Sequence, residues 1–88
     1  MHAIVVSVKL DDPDQARAFL KEEIVPMVSQ APGFVAGWWV SIDNAKGRGT
    51  IVFESEEAAR EVAAGIGQQE GEAVTLESVE VGEVEAHA

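Results

Sequence analysis

Residues 32–54 read PGFVAGWWVSIDNAKGRGTIVFE and contain two apolar segments on either side of a polar connection. The segments 34–42 and 50–54 are rich in β-branched and aromatic residues. The connection between them, residues 43–49, is polar and bears two glycines. Two such segments joined by a glycine-bearing polar turn are typical of a β-hairpin. We therefore expect strands over 34–42 and 50–54, with Pro32-Gly33 separating them from the preceding element.

The segment before this hairpin predicts a strand followed by a helix. Residues 2–10 are short and β-branched, and Asp11-Asp12-Pro13 ends them. Asp12 is expected to cap a helix, with Pro13 in its first turn. The apolar residues that follow recur at helical spacing: Ala16, Phe19, Leu20, Ile24, Met27 and Val28. Pro26 lies inside this helix and should distort it, because proline offers no N–H to the carbonyl of residue 22.

The segment after the hairpin predicts a second helix and a last strand. Ser55 is expected to cap the helix, whose buried stripe is Ala59, Val62, Ala63 and Ile66. Residues 74–86 resemble a strand, but their apolar positions change from even to odd and back. One flat strand cannot do this. We expect a bulge near Ser78 or Gly82, or two short strands.

The element order is therefore β-α-β-β-α-β over a single domain, residues 1–88. It predicts an α+β ferredoxin-like fold: an antiparallel sheet with two helices on one face. Strict alternation would place Val5, Val35, Trp39 and Val52 on the other face. That face is too apolar for solvent, so we expect two copies to pack sheet against sheet as a twofold homodimer.

Charge and composition exclude several classes of function. Sixteen acidic residues against six basic ones give a net charge of −10. That sign argues against binding to nucleic acid or to an anionic membrane surface. The absence of cysteine excludes disulfides and thiolate metal sites. The first strand lacks the features of a signal peptide, so a cytoplasmic location is expected.

Three segments resemble a known group of proteins. Pro32-Gly33-Phe34-Val35, residues 51–58 (IVFESEEA) and residues 74–81 (VTLESVEV) are similar to the dimeric α+β barrel superfamily, in particular to small bacterial antibiotic-biosynthesis-monooxygenase-like proteins. This resemblance implies the dimeric barrel. It also implies a ligand pocket between helices and sheet, with Trp38 in it and Trp39 on the dimer side. Phe19, Phe53 and Val62 would line the same pocket.

The resemblance implies two chemistries. Relatives include cofactor-independent oxygenases of quinol-like aromatics and haem-degrading enzymes. The haem-degrading pattern has an Asn on strand one and a Trp and a His on helix two. Here Val6 stands near the first position and helix two carries Val62 without an aromatic or His. We therefore expect no haem, and no other cofactor or metal.

A planar hydrophobic small molecule is the ligand expected, with oxygenation as a further possibility. No catalytic residue can be assigned, although a base would be needed and His2 and His87 are the only histidines. Lys46 and Arg48, expected in the hairpin turn, could hold an anion, but a solvated turn is the simpler interpretation. Two alternatives stay open. Trp38 and Trp39 could serve only in packing, and the protein could be a non-catalytic ligand-binding or structural dimerisation module.

Overall fold

The computed structural model describes residues 1–68 and 73–88. Its elements, in chain order, are β1 (His2–Leu10), α1 (Pro13–Phe19), a π-helical turn (Leu20–Ile24), α2 (Val25–Ser29), β2 (Phe34–Ile42), β3 (Lys46–Phe53), α3 (Glu56–Gln68) and β4 (Val74–Glu83). Helix α1, the π-helical turn and α2 follow one another without a break, so they act as the first helix of the predicted order.

The four strands form one antiparallel sheet in the order β2-β3-β1-β4. Helices cover one face, and the largest fully buried side chains are Ile4, Val28, Ile51 and Phe53. The predicted ferredoxin-like architecture is confirmed. No helix in the described part of the chain is both long and apolar enough to cross a membrane.

Both helix starts have the predicted caps. The Asp12 carboxylate accepts from the Gln15 N–H at 3.1 Å, and the Ser55 hydroxyl accepts from the Ala58 N–H at 3.2 Å. The distortion expected from Pro26 takes the form of the π-helical turn just before it, where the Val25 N–H bonds to the Leu20 carbonyl. Such turns widen a helix by one residue and are frequent at functional sites.

The hairpin turn is much shorter than predicted. Asp43 and Asn44 both have φ of 53°, and the Ala45 N–H donates to the Ile42 carbonyl at 3.0 Å. Two central residues with positive φ are typical of a tight type I′ connection. Strand β3 begins at Lys46, so the prediction of a turn over 43–49 was wrong. Its glycines, which suggested a turn, lie inside a strand.

Two register shifts interrupt the regular alternation of the sheet. On β4, Ser78 opposes Ser7 and Leu76 opposes Val8, which confirms the predicted bulge near Ser78. The other shift was not predicted: on β2, Phe34 opposes Phe53 and Ala36 opposes Val52. Val35 is therefore an extra residue, and the two faces of β2 exchange parity beyond it.

This shift corrects the placement of the two tryptophans. Phe34 packs on the core, with its ring centroid 6.0 Å from that of Phe53. Beyond the bulge, odd residues face the helices, and Trp39 packs against the core cluster. Trp38, 59% exposed, lies on the outer face of the sheet. The alternation argument had placed Trp38 inside and Trp39 outside, because it assumed an uninterrupted strand.

Candidate functional site

A cavity of about 370 Å³ lies between the helical segment and the sheet. Its sheet side is formed by β1, β2, β3 and the start of β4, and its helical side by α1 and the π-helical turn, with Ile66 of α3. Most of the lining is aliphatic, and Phe19 and Trp39 add aromatic rings. Pockets for small molecules have volumes of roughly 300–1,000 Å³ and are mostly apolar. The cavity therefore has the size and lining of a small-molecule site.

The indole of Trp39 lies against the sheet, across two glycines. Gly37 is two residues earlier on β2, and Gly49 is directly opposite Trp39 on β3. A Cβ at Gly37 would lie 2.9 Å from Cη2 of the indole, and a Cβ at Gly49 would lie 3.0 Å from its Cδ1. At Gly37 a side chain would require the indole to shift, and at Gly49 the contact would be tighter than an ordinary van der Waals contact. The two glycines thus allow the ring to approach the backbone, as glycine within a strand often does.

Gly47 extends the same feature along β3. A Cβ there would lie 2.7 Å from Cγ2 of Val8, and the residue is buried. Helix-facing positions 47 and 49 of β3 therefore project no side chain towards α1. The space that side chains at these positions would fill is taken by Val8 and by the indole of Trp39.

The charged residues that line the cavity are all basic. Arg17, Lys21 and Arg48 line the cavity, which is three of the six basic residues of the chain. No Asp or Glu occurs among the lining residues of the described chain. Arg17 pairs with Asp14 at 3.4 Å, and Arg48 donates from Nη1 to the Gly47 carbonyl at 2.9 Å. The cavity is thus a cationic, apolar site in an acidic protein.

The residues predicted to bind a ligand fall in different places. Phe19 lines the cavity. Phe53 is completely buried in the core, Val62 packs against that core, and neither lines the cavity. Trp38 is on the outer face, so the cavity residue that sequence reasoning missed is Trp39. The glycines at 37 and 49 were its available signal, because they indicate a close approach to the strand.

Neither candidate base lines the cavity. His2 Nε2 lies 3.4 Å from a Glu56 carboxylate oxygen at the start of α3, and its buried Nδ1 has no hydrogen-bond partner among the described residues. His87 lies against the outer face of the sheet. The loop carboxylates have structural partners instead: Asp12 caps α1, and Asp11 accepts from the Thr75 hydroxyl at 2.7 Å.

A second cavity of about 480 Å³ lies on the outer face of the sheet. Val35, Trp38 and Val52 line it together with the C-terminal residues 86–88. The C-terminal segment is attached to the sheet through the Val84 N–H, which donates to the Met1 carbonyl at 3.0 Å. Val5, on the same face, is 43% exposed. The outer face is therefore an apolar surface that the described chain covers only in part.

Solved structures with the same architecture cover the whole length of the chain. HapK from Hahella chejuensis superimposes with a TM-score of 0.73 at 16% identity, over 100% of this chain and 96% of HapK. The chain has the ferredoxin-like fold of these structures. The resemblance expected from its sequence is thus confirmed for the fold. No model of a protein family and no curated protein sequence matches.

Two further structures with this fold hold ligands. A variant of MhuD, the haem-degrader of Mycobacterium tuberculosis, carries two manganese protoporphyrin IX molecules per active site. This structure matches with a TM-score of 0.70 at 17% identity, over 100% of this chain and 98% of MhuD. The ActVA-Orf6 monooxygenase of Streptomyces coelicolor is in complex with nanaomycin D; it matches with a TM-score of 0.66 at 14% identity, over 99% of this chain and 89% of the monooxygenase. A dimeric ferredoxin-like protein from an uncultured marine organism matches at 0.61 and 12% identity, over 100% and 98%.

Haem does not fit the described lining of the cavity. Haem iron is held in proteins by imidazole, thiolate, thioether or phenolate groups. The lining residues described here offer none of these, since His2 and His87 lie elsewhere. The chemistry of the donor groups in this chain thus differs from what a haem protein of the same fold requires.

The contact between Trp39 and the glycines predicts a non-additive effect of substitution. Gly49→Ala should lower the free energy of unfolding by about 1–2 kcal/mol, because its methyl group overlaps the indole. In a Trp39→Leu background, where that ring is absent, the same change should be neutral or slightly stabilising, since alanine restricts the unfolded chain. Urea unfolding of the four proteins of this cycle measures the coupling. Equal effects of Gly49→Ala in both backgrounds would contradict the described geometry.

Proposed function

We propose that the cavity between the helical segment and the sheet binds a planar hydrophobic small molecule, and that the protein does so as a homodimer. The observation that carries the proposal is the cavity itself, which has a volume of about 370 Å³ and a mostly apolar lining. The indole of Trp39 lies flat on its floor, which is the helix-facing surface of the sheet around Gly37 and Gly49. An aromatic ligand can stack on an aromatic ring that lines its pocket. Ligand complexes of MhuD and of the ActVA-Orf6 monooxygenase, which have the same fold, support it.

Reducing the cavity from its helical side tests the site. Ala16 lines the cavity, whereas Ala18, two residues away on α1, is exposed and does not. The probe is 2-naphthamide, which is planar and neutral. Ala16→Leu should weaken its binding at least about tenfold, because the larger side chain occupies space that the ligand needs. A tenfold change corresponds to a loss of about 1.4 kcal/mol in binding free energy. Ala18→Leu should leave binding unchanged. Calorimetric titration measures both.

Thermal unfolding of each variant controls for misfolding, since overpacking costs roughly 1–3 kcal/mol. No heat of binding to the unmodified protein, or equal losses in Ala16→Leu and Ala18→Leu, would refute the proposal for this cavity.

Cofactor-independent oxygenation is the second candidate function. Its support is the shared fold with the ActVA-Orf6 monooxygenase and the cationic lining, which favours an ionised substrate. The described lining contains no imidazole or carboxylate base, so the substrate would have to enter already ionised. Oxygen uptake with 1,4-dihydroxynaphthalene should exceed the uncatalysed rate and fall in the Trp39→Leu protein. A rate equal to the protein-free control would favour the alternative, a non-catalytic ligand-binding module.

The outer face of the sheet is the proposed dimer interface. Val5, Val35, Trp38 and Val52 form its apolar part, with Trp38 in the place that alternation had assigned to Trp39. A neighbour of the same fold is a dimeric ferredoxin-like protein. Two identical sheet faces can pack against each other around a twofold axis. Trp38 is the expected energetic centre, because tryptophan is enriched among the residues that dominate interfaces.

Removal of the Trp38 side chain should therefore weaken dimerisation. We expect Trp38→Ser to raise the dimer dissociation constant at least about tenfold. Phe19→Ser is the matched control, because it removes an exposed aromatic ring from the helical layer instead. Two chains of −10 carry −20 together, so added salt should strengthen the dimer by screening this repulsion. Sedimentation equilibrium tests these effects, and a monomer at all micromolar concentrations would disprove the interface.

A further inference from the structure

The cationic lining indicates the chemical class of the ligand. We propose that the cavity takes a planar organic anion: a flat apolar ring system that carries one acidic oxygen group, a carboxylate or an ionised phenol. This inference rests on the proposed ligand-binding function and goes beyond it, because apolar space alone would take a neutral molecule equally well.

The first argument is the distribution of charge. The chain carries sixteen acidic residues and six basic ones, yet the described lining holds three of the basic residues and no acidic one. A protein of net charge −10 repels anions on average. A cavity lined by one sign of charge with apolar walls concentrates ligands of the opposite sign. The local field at this cavity therefore opposes that of the whole molecule.

The second argument is the position of the charges relative to the apolar floor. Arg17 and Lys21 are four residues apart along the helical segment, so they lie on the same side of it, in successive turns. Arg48 lies between the helix-facing Gly47 and Gly49 of β3, so alternation directs its side chain to the outer face of the sheet. The ring system would lie on Trp39 and the glycine floor, and its acidic group would reach the cations of the helical side.

The third argument is that these charges are poorly neutralised within the protein. Asp14, the partner of Arg17, is 96% exposed, and an exposed pair of this kind is weak and screened by solvent. Lys21 has no ion pair among the described residues. Arg17 and Lys21 are thus available to an anionic ligand.

The experiment compares two probes of nearly identical shape, 2-naphthoate and 2-naphthamide, which differ in charge. Calorimetric titration of the full-length protein at low ionic strength should show the carboxylate binding about tenfold more tightly than the amide. Added salt should reduce this ratio towards one, because partly exposed charges are screened.

Substitution of the lining cations assigns the preference to the cavity. Lys21→Gln and Arg17→Gln should each lower the affinity for 2-naphthoate about threefold and leave that for 2-naphthamide unchanged. Lys21→Arg should retain the preference because it retains the charge. Arg60→Gln is the control: Arg60 lies on α3, pairs with Glu56 at 3.2 Å and does not line the cavity.

This experiment distinguishes failure of the anion proposal from failure of the proposed ligand-binding function. If both probes bind with equal affinity, or if Arg60→Gln lowers 2-naphthoate binding as much as Lys21→Gln does, the anion proposal is overturned and the ligand site remains. If neither probe binds, the ligand site itself is refuted and the anion proposal with it.

Discussion

One extra residue in β2 determines on which face of the sheet each of the two adjacent tryptophans lies. Strand residues alternate between the faces of a sheet, so an insertion of one residue exchanges the faces for everything that follows. The shift at Val35 leaves Phe34 in the core and directs Trp39 to the helices and Trp38 outwards. Strand β2 is an edge strand, where such an irregularity disturbs only one neighbour. The cavity lining and the apolar outer face both depend on this shift.

The cavity also requires the absence of side chains at specific positions. Gly37 and Gly49 allow the indole to lie flat, and Gly47 gives room to the side chain of Val8. Glycine within a strand weakens it, because the unfolded chain has more freedom and no side chain packs in the sheet. Three glycines in the sheet beneath one cavity thus have a cost in stability. On the helical side, Leu20, Lys21 and Ile24 of the π-helical turn before Pro26 form part of the opposite wall.

Local rules were sufficient for most of the fold. The caps at Asp12 and Ser55, the distortion near Pro26 and the bulge near Ser78 all depend on a few neighbouring residues, and all are present. The site was harder to predict because it depends on pairing between strands. Nothing in the residues 34–36 themselves indicates a bulge; it follows from how β2 aligns with β3. Similarly, the glycines of β3 resemble a turn until the tight connection at Asp43-Asn44 is known. Arg48 changes from a turn residue to a strand residue for the same reason.

Part of the floor of the cavity is main chain, at Gly47 and Gly49, and this affects how the site can change in evolution. Amino-acid substitutions replace side chains but leave the hydrogen-bonded ladder of a sheet in place. At the glycines, almost any replacement meets Trp39 or Val8, so these positions tolerate little variation. The helical wall is made of side chains that can be exchanged singly, such as those at Ala16 and Phe19. New ligand preferences can therefore arise by changes in one wall, while the flat surface opposite stays the same from one descendant sequence to the next.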